Sequence, residues 1–155
     1  MDSLLSSLRT TNQANATLTA LDDDGTLRFS IRKPGQEAPS EMLRYEIVYV
    51  PSRRKRYQVL GGRVYRWLEV EIYVWMNADW TDEETITGRG SNPGLDDICD
   101  AVEADLTHST LGDNTLMCPT SEEGIGEGEF VEGPDETSSL VGVRYTYTQR
   151  RDITS

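Results

Sequence analysis

The stretch V-Y-R-W-L-E-V-E-I-Y-V-W-M, residues 64–76, is the strongest periodic segment of the chain. Strand alternation puts Leu68, Val70, Ile72, Val74 and Met76 on one face and Trp67, Glu69, Glu71, Tyr73 and Trp75 on the other. The first face is core. The second mixes three large aromatics with two acids, which suits a surface partly covered by another element of the chain or by another subunit. At about 3.3 Å per residue this strand runs roughly 40 Å, against the common ~17–20 Å. A small domain buries only part of such a length.

The partner strand precedes it. Tyr57-Gln-Val-Leu60 and Arg63-Val-Tyr-Arg66 flank Gly61-Gly62, a pair that accepts the positive φ of a tight hairpin turn. Pairing outward from a two-residue turn predicts Ile47 opposite Met76 and Tyr49 opposite Val74, with the apolar faces in agreement at the base. Toward the tip they disagree, because Arg53 and Lys55 then oppose Val70 and Leu68. A one-residue bulge at Pro51-Ser52 only substitutes Arg54 and Arg56. Residues 52–66 therefore read as a protruding arm with a basic tip, and such an arm calls for a partner.

The chain has 155 residues, enough for one domain with a real core. It carries 27 acids against 15 bases, a net charge of −12, with a pI near 4.4. That balance opposes binding nucleic acid by neutralising phosphates. The charge is also segregated: residues 28–66 hold ten bases and three acids, and residues 122–136 hold seven acids and no base. A molecule with a basic and an acidic zone can pair with copies of itself. Cys99 and Cys118 read as small buried hydrophobes and not as a disulfide. No signal peptide opens the chain and no apolar run approaches the ~20 residues of a membrane helix, so a soluble protein made in a reducing cytoplasm is expected.

Residues 1–24 have helical spacing, with Leu4, Leu5 and Leu8 in one group and Ala14, Leu18 and Leu21 in another after a cap at Asn12; Gly25 marks a stop. Leu27–Lys33 alternates as a strand, and residues 34–39 are a loop before the hairpin at 43–76. Asp79–Gly94 reads as an exposed connection. The clearest helix follows: Asn92 caps it, Pro93 opens it, and Leu95, Ile98, Cys99, Val102 and Leu106 form one apolar stripe. Residues 114–118 and 125–132 are short strand candidates. Leu140–Thr148 is a closing antiparallel strand with one wet face, and 149–155 a flexible tail. The sum is a single α+β domain over 1–155, a mainly antiparallel sheet with a long β-hairpin and one to two helices packed on one face.

Candidate chemistry is sparse. Leu21-Asp-Asp-Asp-Gly-Thr-Leu27 fits the D-x-D-G-T-L pattern of haloacid-dehalogenase-type phosphatases, where the first Asp attacks phosphorus and the pair helps hold Mg²⁺. That motif belongs after a buried strand of a parallel sheet, and here Ala16–Ala20 is half polar and reads as helical. Gly112-Asp113-Asn114 could imitate the later acidic motif, yet neither Lys33 nor Lys55 is suitably placed before it. The sole histidine, His108, sits at a helix C-terminus, where it suits the dipole. Glu122-Glu123 and Glu127-x-Glu129 could hold a hard cation weakly, but the glycines between them favour a solvated loop. No cofactor and no metal site is expected. Arg53-Arg54-Lys55-Arg56 with Tyr57, Tyr65 and Trp67 could be a nucleic-acid patch, yet four bases on so acidic a molecule fit a protein or subunit contact better.

The order of these parts resembles the tail terminator and tail-completion proteins of long-tailed bacteriophages. The residues that carry it are an N-terminal helical segment, a long hairpin with an aromatic second strand, L-D-D-I-x-D-A-V-E-x-D-L at 95–106, T-L-x-D-N-T-L at 110–116 and V-x-V-x-Y-x-Y at 141–147. The resemblance lies in arrangement, since that family has no catalytic signature. It implies a non-enzymatic virion protein, assembled in the host cytoplasm, that forms a ring, usually hexameric, capping the tail tube and meeting the neck and head-completion proteins. DNA would pass through without sequence-specific binding, and no membrane is involved. On that reading Arg53, Arg54, Lys55, Arg56, Tyr57, Arg63, Tyr65, Trp67, Tyr73 and Trp75 form the subunit or partner interface. Glu122, Glu123, Glu127, Glu129 and Glu132 belong to an acidic loop that lines the channel and repels DNA. Another head–tail connector or neck ring, or a small Mg²⁺-dependent phosphatase, are the alternatives.

Overall fold

The computed structural model describes residues 2–39, 43–58, 61–77, 79–106, 116–117, 124–133 and 140–152. The chain runs α1 (Asp2–Gln13), α2 (Ala16–Asp23), β1 (Leu27–Ile31), β2 (Tyr45–Gln58), β3 (Val64–Asn77), α3 (Asp82–Thr87), α4 (Leu95–Leu106), β4 (Leu116–Met117), β5 (Gly124–Ile125), β6 (Glu129–Glu132) and β7 (Leu140–Asp152). The strands form one sheet of order β1-β2-β3-β7-β4, with β5 and β6 also on β7. Every pairing is antiparallel except that of β1 with β2. This is the expected α+β class. The aromatic strand β3 is its middle, held on one side by β2 and on the other by β7.

The apolar face of β3 packs as its alternation requires. Leu68, Val70, Ile72, Val74 and Met76 are all buried, in one core with Leu4, Leu5 and Leu8 of α1, Leu18 and Leu21 of α2 and the whole α4 stripe. Each such side chain contributes about 1.5–3 kcal/mol by leaving water. The other face has a smaller core of its own. Val48, Val50, Tyr73, Trp75 and Leu140 pack there with Ala38 and Val131. Of the two coverings the sequence allowed for this face, the chain itself supplies the one over Tyr73 and Trp75.

That covering follows from the parallel pair. Parallel strands need a crossover of a dozen or so residues, and residues 32–44 supply it between β1 and β2. The crossover brings the Glu37 carbonyl to the Trp75 indole, whose Nε1 donates at 2.8 Å. Tyr73 stacks on Trp75 with centroids 5.6 Å apart, and its hydroxyl donates to Glu71 at 2.6 Å. Gly142 of β7 lies opposite Trp75, where an added Cβ would stand 2.6 Å from the indole ring.

The hairpin register differs from the expected one. Ile47 pairs with Val74 and Tyr49 with Ile72. The last pair before the turn is Gln58 with Val64, so the connection is longer than two residues, although Gly61 and Gly62 do adopt φ of 97° and 80°. A bulge between Pro51 and Arg53 then shifts the register once more. The two shifts add to an even slip, which leaves every side chain on its expected face at the base.

At the N-terminus two helices replace one loosely bounded segment. Asn15, not Asn12, caps α2: its Oδ1 accepts from the Thr17 and Leu18 amides at 3.0 and 3.3 Å. Asn12 is buried inside α1, accepts from the Tyr49 hydroxyl at 2.6 Å and donates to Asp105 at 3.2 Å. Gly25 ends α2 as expected. Asn92 likewise does not cap α4, which begins at Leu95; its Oδ1 accepts from Arg44 at 3.0 Å. Inside the expected loop at 79–94 lies α3, capped by Thr81, whose hydroxyl accepts from the Glu84 amide and donates to the Glu84 carboxylate. That capping box was present in T-D-E-E.

Candidate assembly interface

The arm begins at the bulge. Before it, β2 residues 45–50 are buried; after it, Ser52, Arg53, Arg54, Lys55 and Arg56 are all exposed. Nothing apolar lies along this part of β2, so its burial ends where the sequence changes to bases. Arg53 is tied to Glu69 across the pair, Nε to Oε2 at 3.3 Å. Arg54 stands opposite Leu68, Lys55 opposite Trp67 and Arg56 opposite Arg66.

The arm is wider than the hairpin, because β7 does not stop at Thr148 and carries β4 on its far side, so that four strands lie abreast at Arg150 and Arg151. Residues 149–152, expected to be loose, pair with Tyr65–Leu68 along β3. The backbone ladder to β3 and the Arg150 guanidinium, 5.0 Å from the centre of the Tyr65 ring, account for the difference, and they outweigh the cost of Gln149, fully buried opposite Leu68 with no partner for its side-chain amide among the described residues. A polar tail thus holds to the sheet by ladder hydrogen bonds and a cation–π contact. The extension also adds bases. Arg56 and Arg66 stand abreast in one cross-strand row, and Lys55, Trp67 and Arg150 in the next. Like charges abreast repel, so such a row is a built-in cost unless an anion meets it.

Other expected interface residues are placed differently. Trp67 and Tyr65 are half-buried on the blade and Arg63 is exposed near its tip, whereas Tyr73 and Trp75 are covered by the crossover and Leu140. Those two are core residues of the small layer, and little of them is left for a partner. The side chain of Tyr57 lies outside the described residues, as do Glu122 and Glu123, His108, Cys118 and the Gly112–Asn114 stretch. Of the acidic loop, Glu127 is exposed, Glu129 is ion-paired with Arg144, and Glu132 is exposed on β6.

The counterweight to the basic blade is a second acidic zone that sequence reading did not single out. Asp22, Asp23 and Asp24 end α2, Asp82, Glu83 and Glu84 open α3, and Asp96, Asp97 and Asp100 lie on the exposed side of α4. All gather at the base of the hairpin. The Tyr45 amide donates to Thr26 just past α2, and the Tyr45 hydroxyl donates to Pro93 just before α4 at 2.6 Å. From Tyr45 to Gln58 the strand covers roughly 40 Å, so the two charge zones sit at opposite ends of the molecule.

The phosphatase-like motif falls in this acidic zone without its chemical context. Asp22 lies in the last turn of α2 and Asp24 is its C-cap, both with exposed side chains at the carbonyl end of a helix, where no backbone amides point at a phosphate. Among the described residues no group of three or more metal-ligating side chains gathers. Cys99 is a buried free thiol whose pKa burial pushes up to about 12, which keeps it protonated and inert.

No protein-family model matches the chain, and no curated protein matches it in sequence. In structure it is similar to a chain of the virion of a native gene transfer agent particle. The TM-score is 0.63 at 12% identity, over 96% of this chain and 94% of that one. The two chains share one fold. Because the likeness covers nearly all of both, it is one of whole domains and not of an isolated hairpin.

Proposed function

We propose that this chain is a structural protein of a phage-like virion, and that it forms the ring that caps the tail tube and joins it to the neck. The observation that carries the reading is the domain-length likeness to a virion chain of a gene transfer agent particle. The charge layout supports it: a basic blade at one end and an acidic helical end at the other give each copy two complementary surfaces. Its partners on this reading are further copies of itself, six to a ring as the family resemblance implies, together with the tail tube protein and the neck or head-completion proteins. Its work is mechanical and not catalytic, and DNA passes along a channel that the acidic loop around Glu127 helps to line.

The same likeness supports another connector or neck ring, and position in the particle separates the two. Gold-labelled antibody on purified virions is expected at the tail–neck junction; label along the tube or at the distal tip overturns the capping role. Arg53, Arg54, Lys55 and Arg56 changed together to Ala should leave the monomer folded by circular dichroism while abolishing ring and tail assembly. A fully assembled, infectious product would remove the arm from the mechanism.

A further inference from the structure

A narrow cleft of about 170 Å³ opens between α4 and the β6–β7 edge of the sheet. Its floor is apolar, with Leu95 and Cys99 of α4 facing Tyr145 of β7, and Asp96 and Asp100 stand on the helix side. Phe130 of β6 forms the opposite wall, 69% exposed. A large aromatic held this open on an edge strand is unusual for a free surface. Asp96 and Asp100 are one helical turn apart and so point the same way, and α4 carries no base along its length. The wall and rim together form an aromatic face beside two carboxylates.

We infer that this cleft receives the basic hairpin tip of a second copy of the chain. Arg54 and Arg56 lie two residues apart on one face of β2, both exposed, with Lys55 on the other face. An arginine there can lay its guanidinium on the Phe130 ring and donate to Asp96 or Asp100. The tip cannot reach the cleft of its own chain. The cleft lies at the level of Val143, which pairs with Val74, whereas Arg54 and Arg56 stand opposite Leu68 and Arg66, roughly 20 and 26 Å away along β3 and two strands further across the sheet. The contact therefore joins two different patches on two copies, which is the head-to-tail geometry that closes into a ring or runs on as a filament. It rests on the assembly reading above and adds to it a named receptor for the arm.

Charge reversal tests it on the whole chain by native mass and sedimentation over a concentration series. The wild type is expected to self-associate. Asp96→Lys with Asp100→Lys, and separately Arg54→Glu with Arg56→Glu, should each raise the concentration for half-association roughly tenfold or more. The four changes combined should restore association, an outcome that misfolding cannot produce. All four positions are exposed, and thermal melts check that each variant folds. Phe130→Ala should weaken association as well. If arm reversal breaks association and cleft reversal does not, the cleft is overturned as receptor while the arm's role stands. If the wild type stays at the single-chain mass yet is found in virions, the contact between copies is overturned and the virion role is not.

Discussion

Glu46 shows how one residue fixes a loop. It is fully buried on the small-core face, where Arg28 Nε lies 2.5 Å and Arg32 Nη2 3.2 Å from its carboxylate oxygens. The two arginines flank the start of the crossover that covers Trp75, so the ion triad fastens β1 and that segment to β2. Glu46→Gln removes the charge and leaves two guanidiniums facing a neutral amide. Because Arg28 is 44% exposed and can recover hydration, the cost should fall below that of a fully buried pair, at about 2–3 kcal/mol. Urea unfolding with Trp fluorescence measures it, and an unchanged midpoint would show that the triad holds nothing. Burial also sets the alkaline limit. Cys99 rises from 9.0 to about 12 and Tyr73 from 10.0 to about 12, both chiefly through desolvation, the tyrosine also through its bond to Glu71. In each case the folded state keeps a proton that the unfolded state gives up sooner. Stability from these groups is whole below about pH 9 and is lost as pH climbs toward 12. Thermal melts between pH 8 and 11 should show the midpoint falling above pH 9, less steeply in Cys99→Ala.

At the scale of elements, the blade is where local preference and tertiary structure disagree. Arg56 directly opposite Arg66 is poor strand design, since two like charges share one cross-strand line. Arg66→Thr should therefore stabilise the isolated protein by about 0.2–1 kcal/mol, read as a higher urea midpoint. A lower midpoint would mean that the Arg66 stem packs more strongly than its charge repels. In the assembly reading the same change weakens association, because the repulsion is what an acidic partner relieves. The blade was half legible in the sequence. The bases at 53–56 against the apolar face of β3 showed that the hairpin must leave the core, but nothing in Q-R-R-D at 149–152 showed that β7 follows it out. That segment is held by its neighbours, through its ladder to β3 and the contact of Arg150 with Tyr65.

At the scale of the molecule, segregation of charge becomes polarity. The basic zone was legible as a run of arginines, because one strand carries it. Its acidic counterpart comes from three helices separated in sequence, α2, α3 and α4, which only packing places at one end. The acidic run at 122–136 was the conspicuous negative stretch, yet of its described members Glu129 is ion-paired within the chain. For the same reason the cleft beside Phe130 could not be read in advance: its two walls come from α4 and β6, and the distance between them is a property of the packed sheet.

Strand alternation, the faces of the hairpin, the α4 stripe and the point where the arm leaves the core are written in the residues themselves, because each depends on neighbours a few positions away. The register, the parallel β1, the burial of Tyr73 and Trp75 and the run of β7 along the arm emerge on folding. Those depend on contacts between segments far apart in the chain, where loop length and packing outweigh local preference.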